Sequence, residues 1–138
     1  MLEGMTEILE TKLKIASWDE KPYRELADGR KFTRAEVTLE GTGDGIESAT
    51  FEALMFYRAD GTSSYVTLMQ ITGQIGGRSG GFVLRGEGAY DGKTATGTSS
   101  VVPGSGTGEL AGISGAMSSS STHEDYPNMP LTLTYDLS

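Results

Sequence analysis

The sequence predicts an all-β fold, a closed antiparallel barrel of about eight strands, and three observations carry that prediction. Short segments alternate apolar and polar residues with the period of a half-buried strand. Glycine takes 20 of the 138 positions and punctuates those segments, which suits short strands that bend at corners better than it suits helices. No run of good helix formers carries a helical period, and the nearest candidate is Tyr23 to Ala27. A β-sandwich built from the same strands is the alternative. A length of 138 residues is that of one ordinary domain, so residues 1–138 are read as a single unit.

The first strand begins at Glu7, where Leu9, Thr11, Leu13 and Ile15 share one face and Glu10, Lys12 and Lys14 the other. Trp18 to Arg30 carries Pro22, Gly29 and several charges, so it reads as a surface loop before a second strand, Phe32 to Leu39. Gly41, Gly43 and Gly45 mark a turn. Ser48 to Tyr57 and Ser63 to Thr72 then flank Arg58-Ala59-Asp60-Gly61-Thr62 as a hairpin, in which Gly61 supplies the positive φ that a tight turn requires. Both faces of this hairpin are apolar: Phe51, Met55, Tyr65 and Met69 on one, Leu54, Phe56, Val66 and Leu68 on the other. A sheet apolar on both sides needs a second covering layer, which a partner subunit would supply, so a homo-oligomer is expected, with a dimer favoured. Further strands are expected at Phe82 to Tyr90, Thr94 to Val102, Glu109 to Met117 and Leu131 to Leu137, with Ser118 to Ser121 as a loop.

Charge and composition narrow the functional classes. With 19 acidic against 11 basic side chains the net charge is -8, which repels phosphate backbones and anionic lipid, so neither nucleic acid nor a membrane surface is an expected partner. Cysteine is absent, which removes disulfides and thiolate chemistry and points to the cytoplasm. The N-terminal stretch carries Glu3, Glu7 and Glu10 and lacks the cationic start and long apolar run of a secretory signal, and no window has the length of a membrane span.

Several segments resemble an uncharacterised, mainly bacterial family of small barrels. They are Ser17-Trp18-Asp19-Glu20-Lys21-Pro22-Tyr23, Tyr57-Arg58-Ala59-Asp60-Gly61-Thr62, Gly76-Gly77-Arg78-Ser79-Gly80-Gly81-Phe82 and Val101-Val102-Pro103-Gly104-Ser105-Gly106-Thr107-Gly108-Glu109-Leu110. Within the last, the run Gly106 to Gly115 is similar to the glycine-spaced strand motif of allene oxide cyclases and dirigent proteins, which are eight-stranded barrels that hold hydrophobic molecules. The resemblance implies an allene-oxide-cyclase-like barrel and carries no catalytic residue with it. It also implies that an acidic residue often stands in relatives at the position of Met69 and a histidine at that of Gly86, so chemistry resting on those groups is absent here.

Motifs that match enzyme signatures fail on context. Gly106-x-Gly108-x-x-Ala111 fits a loose dinucleotide fingerprint but opens no helix, and Gly77-Arg78-Ser79-Gly80-Gly81 fits G-x-S-x-G but leads into a strand. His123 is the only histidine and sits beside Glu124 and Asp125 in a polar segment, which reads as a surface loop and not as a metal site. No cofactor or metal is expected.

Glu52 is the candidate catalytic residue, because it lies mid-strand between Phe51 and Leu54. Facing inward, it would have a raised pKa and could move protons; facing outward, it would be an ordinary solubilising charge. Glu109 poses the same question. Trp18, Tyr57, Tyr65, Phe82, Tyr90 and Glu109 are the candidate ligand-binding residues, since aromatic walls suit a small apolar ligand; core packing is the alternative for the aromatics, and Trp18, with Asp19, Glu20 and Tyr23, would cap one mouth or serve as a structural plug. The function expected is binding of a small, largely apolar molecule. The alternatives are an isomerase or cyclase acting on a hydrophobic substrate and a protein-interaction module.

Overall fold

The computed structural model describes residues 6–137. They form one nine-stranded antiparallel sheet: β1 (Glu7–Glu25), β2 (Lys31–Glu40), β3 (Ile46–Tyr57), β4 (Ser63–Ile75), β5 (Arg78–Tyr90), β6 (Thr94–Val101), β7 (Thr107–Gly108), β8 (Ser114–Thr122) and β9 (Asn128–Asp136). The strand order is β4-β3-β2-β1-β9-β8-β6-β5-β7, and β4 also pairs with β5 from Ser63↔Tyr90 to Ile75↔Arg78. The pairings therefore return on themselves through every strand except β7, and the sheet is ring-like.

One parity of each strand faces the enclosed side. On β2 these positions are Thr33, Ala35, Val37 and Leu39, all buried, while Arg34, Glu36 and Thr38 between them are exposed. Leu13, Leu39, Ile71, Ile75, Phe82, Leu84 and Leu133 pack one half of the enclosed space solidly. The β7–β8 connection adds Leu110 and Ile113, both buried, beside Gly80 at that end. A Cβ on Gly80 would lie 2.0 Å from the Thr107 carbonyl oxygen, and its φ of 158 is otherwise near extended, so close approach is what fixes glycine there.

The β3–β4 hairpin forms as the alternation predicts. Its turn is closed by Arg58 N–H donating to the Thr62 carbonyl at 2.8 Å, with Gly61 at φ 89 and the Asp60 carboxylate accepting from Thr62 N–H. Three expectations need correction. Trp18 to Glu25 is not loop but a continuation of β1: β1 pairs with β9 only as far as Lys14↔Asn128 and with β2 from Lys14↔Glu40 to Glu25↔Lys31. That half of β1 is thus bonded on one side only, which is where a strand tolerates Pro22 and exposed charges. Tyr23 to Ala27, the segment nearest to a helical one, falls in this strand and the turn after it. Ser118 to Ser121 belongs to β8 and not to a loop, and most of the glycine-spaced run from Gly106 is a loop that contributes only β7 to the sheet. Its last part, Ser114 to Gly115, opens β8.

Candidate functional site

The packed half gives way, toward the Tyr90 end of β5, to a cavity of about 260 Å³. Cross-strand register explains it. One row of inward positions runs Ala35↔Ala53↔Thr67↔Gly86↔Ser99, small residues on five adjacent strands. On one side of it, the row Val37↔Phe51↔Met69↔Leu84↔Val101 is bulky and closes the floor. On the other lie Met55↔Tyr65↔Gly88↔Gly97↔Ser119 and then Tyr57↔Ser63↔Tyr90↔Ala95↔Ser121. Five successive short side chains cannot span the ring, and the space they leave is the cavity.

Its walls differ. Phe51, Met55 and Met69 from β3 and β4, with Trp18 and Ile15 from β1, make an apolar side to which Met117 and Met129 contribute from β8 and β9. Ala95, Gly97, Ser99, Ser119 and Ser121 on β6 and β8 make a side of small and hydroxyl-bearing residues. Trp18 meets Phe51 edge-on, with ring centroids 6.1 Å apart. Tyr65 lies across the glycines: a Cβ on Gly88 would be 2.4 Å from its Cε1, and its hydroxyl donates to the Thr96 carbonyl at 3.2 Å. Burial pushes its phenol pKa up. Ser63 is 1% exposed, and its hydroxyl finds no protein partner among the described residues; the Ser99 hydroxyl is likewise unpartnered.

A polar clamp stands at the mouth. Glu20, on the one-sided half of β1, accepts from Trp18 Nε1 at 2.9 Å through Oε1, and from Thr33 Oγ1 at 2.8 Å and the Tyr57 hydroxyl at 2.5 Å through Oε2. Burial alone would raise the carboxyl pKa, but the hydrogen bonds from Tyr57, Trp18 and Thr33, helped by the Lys31 charge, outweigh it and leave the pKa lowered. The Tyr57 phenol is pushed far up, first by burial and then by its bond to that carboxylate. Across the mouth, the Tyr90 hydroxyl donates to the Gly92 carbonyl at 2.9 Å and meets His123 Nε2 at 2.6 Å.

The structure thus brings Trp18, Tyr57, Tyr65 and Tyr90 together around one cavity. It does not bring in the other candidates. Phe82 is buried in the packed half. Glu109 is in the β7–β8 connection, where its carboxylate accepts from Ser79 N–H at 3.0 Å. Glu52 faces outward, exposed and ion-paired to Arg34 at the surface, away from the enclosed side. His123 is exposed, as a surface segment should be, yet touches the mouth through Tyr90. Sequence reasoning set Glu20 beside Trp18 at a mouth but did not make it the anchor, and it missed the methionine and serine liners; the spacing Trp18-x-Glu20 on one strand face was the available signal for the anchor.

A larger depression of about 1000 Å³ lies on the outer face, lined by Arg34, Glu52, Leu54, Val66, Leu68 and Arg85 among others, and it is open to solvent. Among the described residues no cluster of His, Asp and Glu could hold a metal ion, and no helix is long and apolar enough to cross a membrane.

Comparison with known proteins places the chain. No curated protein matches it. The crystal structure of a protein of unknown function from the DUF3224 family of Shewanella oneidensis MR-1 is similar, with 25% sequence identity and a TM-score of 0.69, covering 96% of this chain and 99% of that one. The model of the family described as "protein of unknown function (DUF3224)" matches residues 9–135, and the chain belongs to that family.

Proposed function

We propose that the ring of strands is a closed β-barrel of allene-oxide-cyclase-like architecture, and that its cavity binds a small, largely apolar molecule. The long β4–β5 ladder and the inward parity shared by all the long strands support the barrel over the sandwich. The observation that carries the binding reading is the cavity itself, a mostly apolar space of about 260 Å³ with aromatic and thioether walls on one side and serine hydroxyls on the other. Glu52, on which a proton-transfer reading would rest, sits outside that space, which favours binding over isomerase or cyclase chemistry. A chain without cysteine suits the cytoplasm. The experiment is mass spectrometry of small molecules released on denaturing protein that was gently purified from a bacterial lysate, together with calorimetric titration of naphthalene. A discrete apolar compound or saturable naphthalene binding is the expected result. The absence of both a released compound and naphthalene binding would overturn the reading.

A second reading concerns the outer face, and we propose that a second copy of the chain covers it. Leu54 and Val66 are cross-strand partners, and with Leu68 they are 50%, 55% and 55% exposed. Arg85 and Glu87, opposite Leu68 and Val66 on β5, flank this stripe with opposite charges, and neither has an ion-pair partner among the described residues. A two-fold axis through the stripe would set Arg85 of one copy against Glu87 of the other. Sedimentation should show a dimer that Leu68→Glu converts to monomer; a wild-type monomer at micromolar concentration would refute it.

A further inference from the structure

Resting on the reading of the cavity as a ligand site, we infer that its ligand is an uncharged amphiphile: an apolar body against the methionines and Phe51, and one hydrogen-bonding group at the mouth end, held by Ser63. The Ser63 hydroxyl is buried, lines the cavity and has no partner in the protein among the described residues. A hydroxyl in that state costs free energy in the folded chain, and a ligand oxygen or nitrogen that reaches it recovers the loss. Its neighbours in the row do not compete for it. Tyr57 spends its hydroxyl on Glu20, and Tyr90 spends its own on Gly92 and His123.

The position of Ser63 sets the orientation of the ligand. It lies in the row Tyr57↔Ser63↔Tyr90, at the mouth, while Met69 and Phe51 lie in the floor row. Ser99, the other unpartnered hydroxyl on the cavity, lies two rows nearer the floor, so a ligand that enters body first sets its apolar part there and leaves its polar group at Ser63. Ser121 in the same row and Ser119 in the next give that group hydroxyl neighbours across the mouth.

Charge is excluded on both signs. Beside the mouth the Glu20 carboxylate and the Lys31 ammonium offset each other, so an anion finds no free counter-charge there. That carboxylate already accepts three hydrogen bonds, and Lys31 Nζ already sits 5.2 Å from the centroid of the Tyr57 ring, so a cation finds both of its natural partners engaged. Burying an ion in the thioether-lined remainder would be costly without a counter-charge.

Four probes of one shape test this: naphthalene, 2-naphthol, 2-naphthoate and 2-naphthylmethylammonium, titrated by calorimetry into the full chain and into Ser63→Ala. The expected order is 2-naphthol tightest, naphthalene weaker by about fivefold, the span of one net hydrogen bond, and both ions weaker than naphthalene by about tenfold or more. Ser63→Ala should erase the preference for naphthol over naphthalene, and Ser63→Thr, which restores a hydroxyl, should recover it. Equal affinities for naphthol and naphthalene in the wild type, or an ion that binds tightest, would overturn the inference while leaving the cavity a binding site. Failure of every probe to bind would instead remove the underlying reading.

Discussion

Tyr57 donates its hydroxyl hydrogen to Glu20 Oε2 across 2.5 Å and so ties the one-sided half of β1 to β3, with β2 between them. Thr33 from β2 and Trp18 from β1 itself complete the set of donors. A single carboxylate thereby anchors the strand half that lacks a partner on its far edge, and it holds Trp18 over the cavity.

Removing that carboxylate should loosen the mouth. Glu20→Gln replaces an acceptor of three hydrogen bonds with an amide that cannot satisfy all three donors. A loss of about 1 kcal/mol is expected once partial exposure of the site is discounted. Denaturant unfolding of the two proteins at neutral pH measures it, and equal midpoints would show that the clamp contributes nothing.

The same carboxylate sets a pH dependence. Its folded pKa lies below the ordinary 4.5, so the unfolded chain binds the proton first, and the stability it supplies is present above that value. As pH falls below 4.5 through the folded pKa, that contribution is lost. The Tyr57 phenol has the opposite sign: its pKa is raised on folding, so above 10 the unfolded chain gives up a proton that the folded chain keeps, and the stability the phenol supplies is present in full below 10 and lost as pH rises above it. The gap in stability between wild type and Glu20→Gln should shrink on acidification below 4.5, and a gap that stays constant down to acid unfolding would contradict the assignment.

Glu52 supplies a control. It is exposed, ion-paired with Arg34 and separated from the cavity by the sheet, so Glu52→Gln should leave both the melting temperature and naphthalene binding indistinguishable from wild type. Lost binding would mean that the outer depression, and not the cavity, holds the probe.

Some of this was legible in the sequence and some was not, for physical reasons. The β3–β4 hairpin could be read because alternation and Asp60-Gly61 are local signals. Trp18 to Glu25 looked like loop because Pro22 and the charges around it are disfavoured in a strand bonded on both sides, and only the register shows that this half is bonded on one. Ser118 to Ser121 lacks apolar residues because its inward members, Ser119 and Ser121, face a cavity and not a packed core. The outward face of Glu52 depends on strand parity, which a single bulge reverses, as the shift between Ile15 and Ser17 in β1 illustrates. The row of small residues from Ala35 to Ser99 joins five strands, and no local pattern announces that they line up.

Gly88 should resist substitution. A Cβ there would stand 2.4 Å from the Thr96 carbonyl oxygen and 2.4 Å from the Tyr65 ring, so the backbone of β6 and the aromatic wall would both have to move. Gly88→Ala is expected to cost about 1–3 kcal/mol, the range of overpacking, and to change the fluorescence or NMR shifts of the cavity aromatics. A variant as stable as wild type would show that β5 and β6 are less closely apposed than they stand here.

Ala53→Leu closes the argument about the cavity, because Ala53 is buried in the small-residue row and lines the open space from its middle. A leucine side chain there adds three carbons, which fill part of a space of about 260 Å³ without displacing the packed half. Filling an apolar void returns dispersion contacts, so stability should hold or rise by up to about 1 kcal/mol, while affinity for naphthalene should fall at least tenfold. The pairing of those two results is what identifies a cavity. A variant that loses both stability and binding would mean that Ala53 is already close-packed, and one that keeps both would place the binding site elsewhere on the protein.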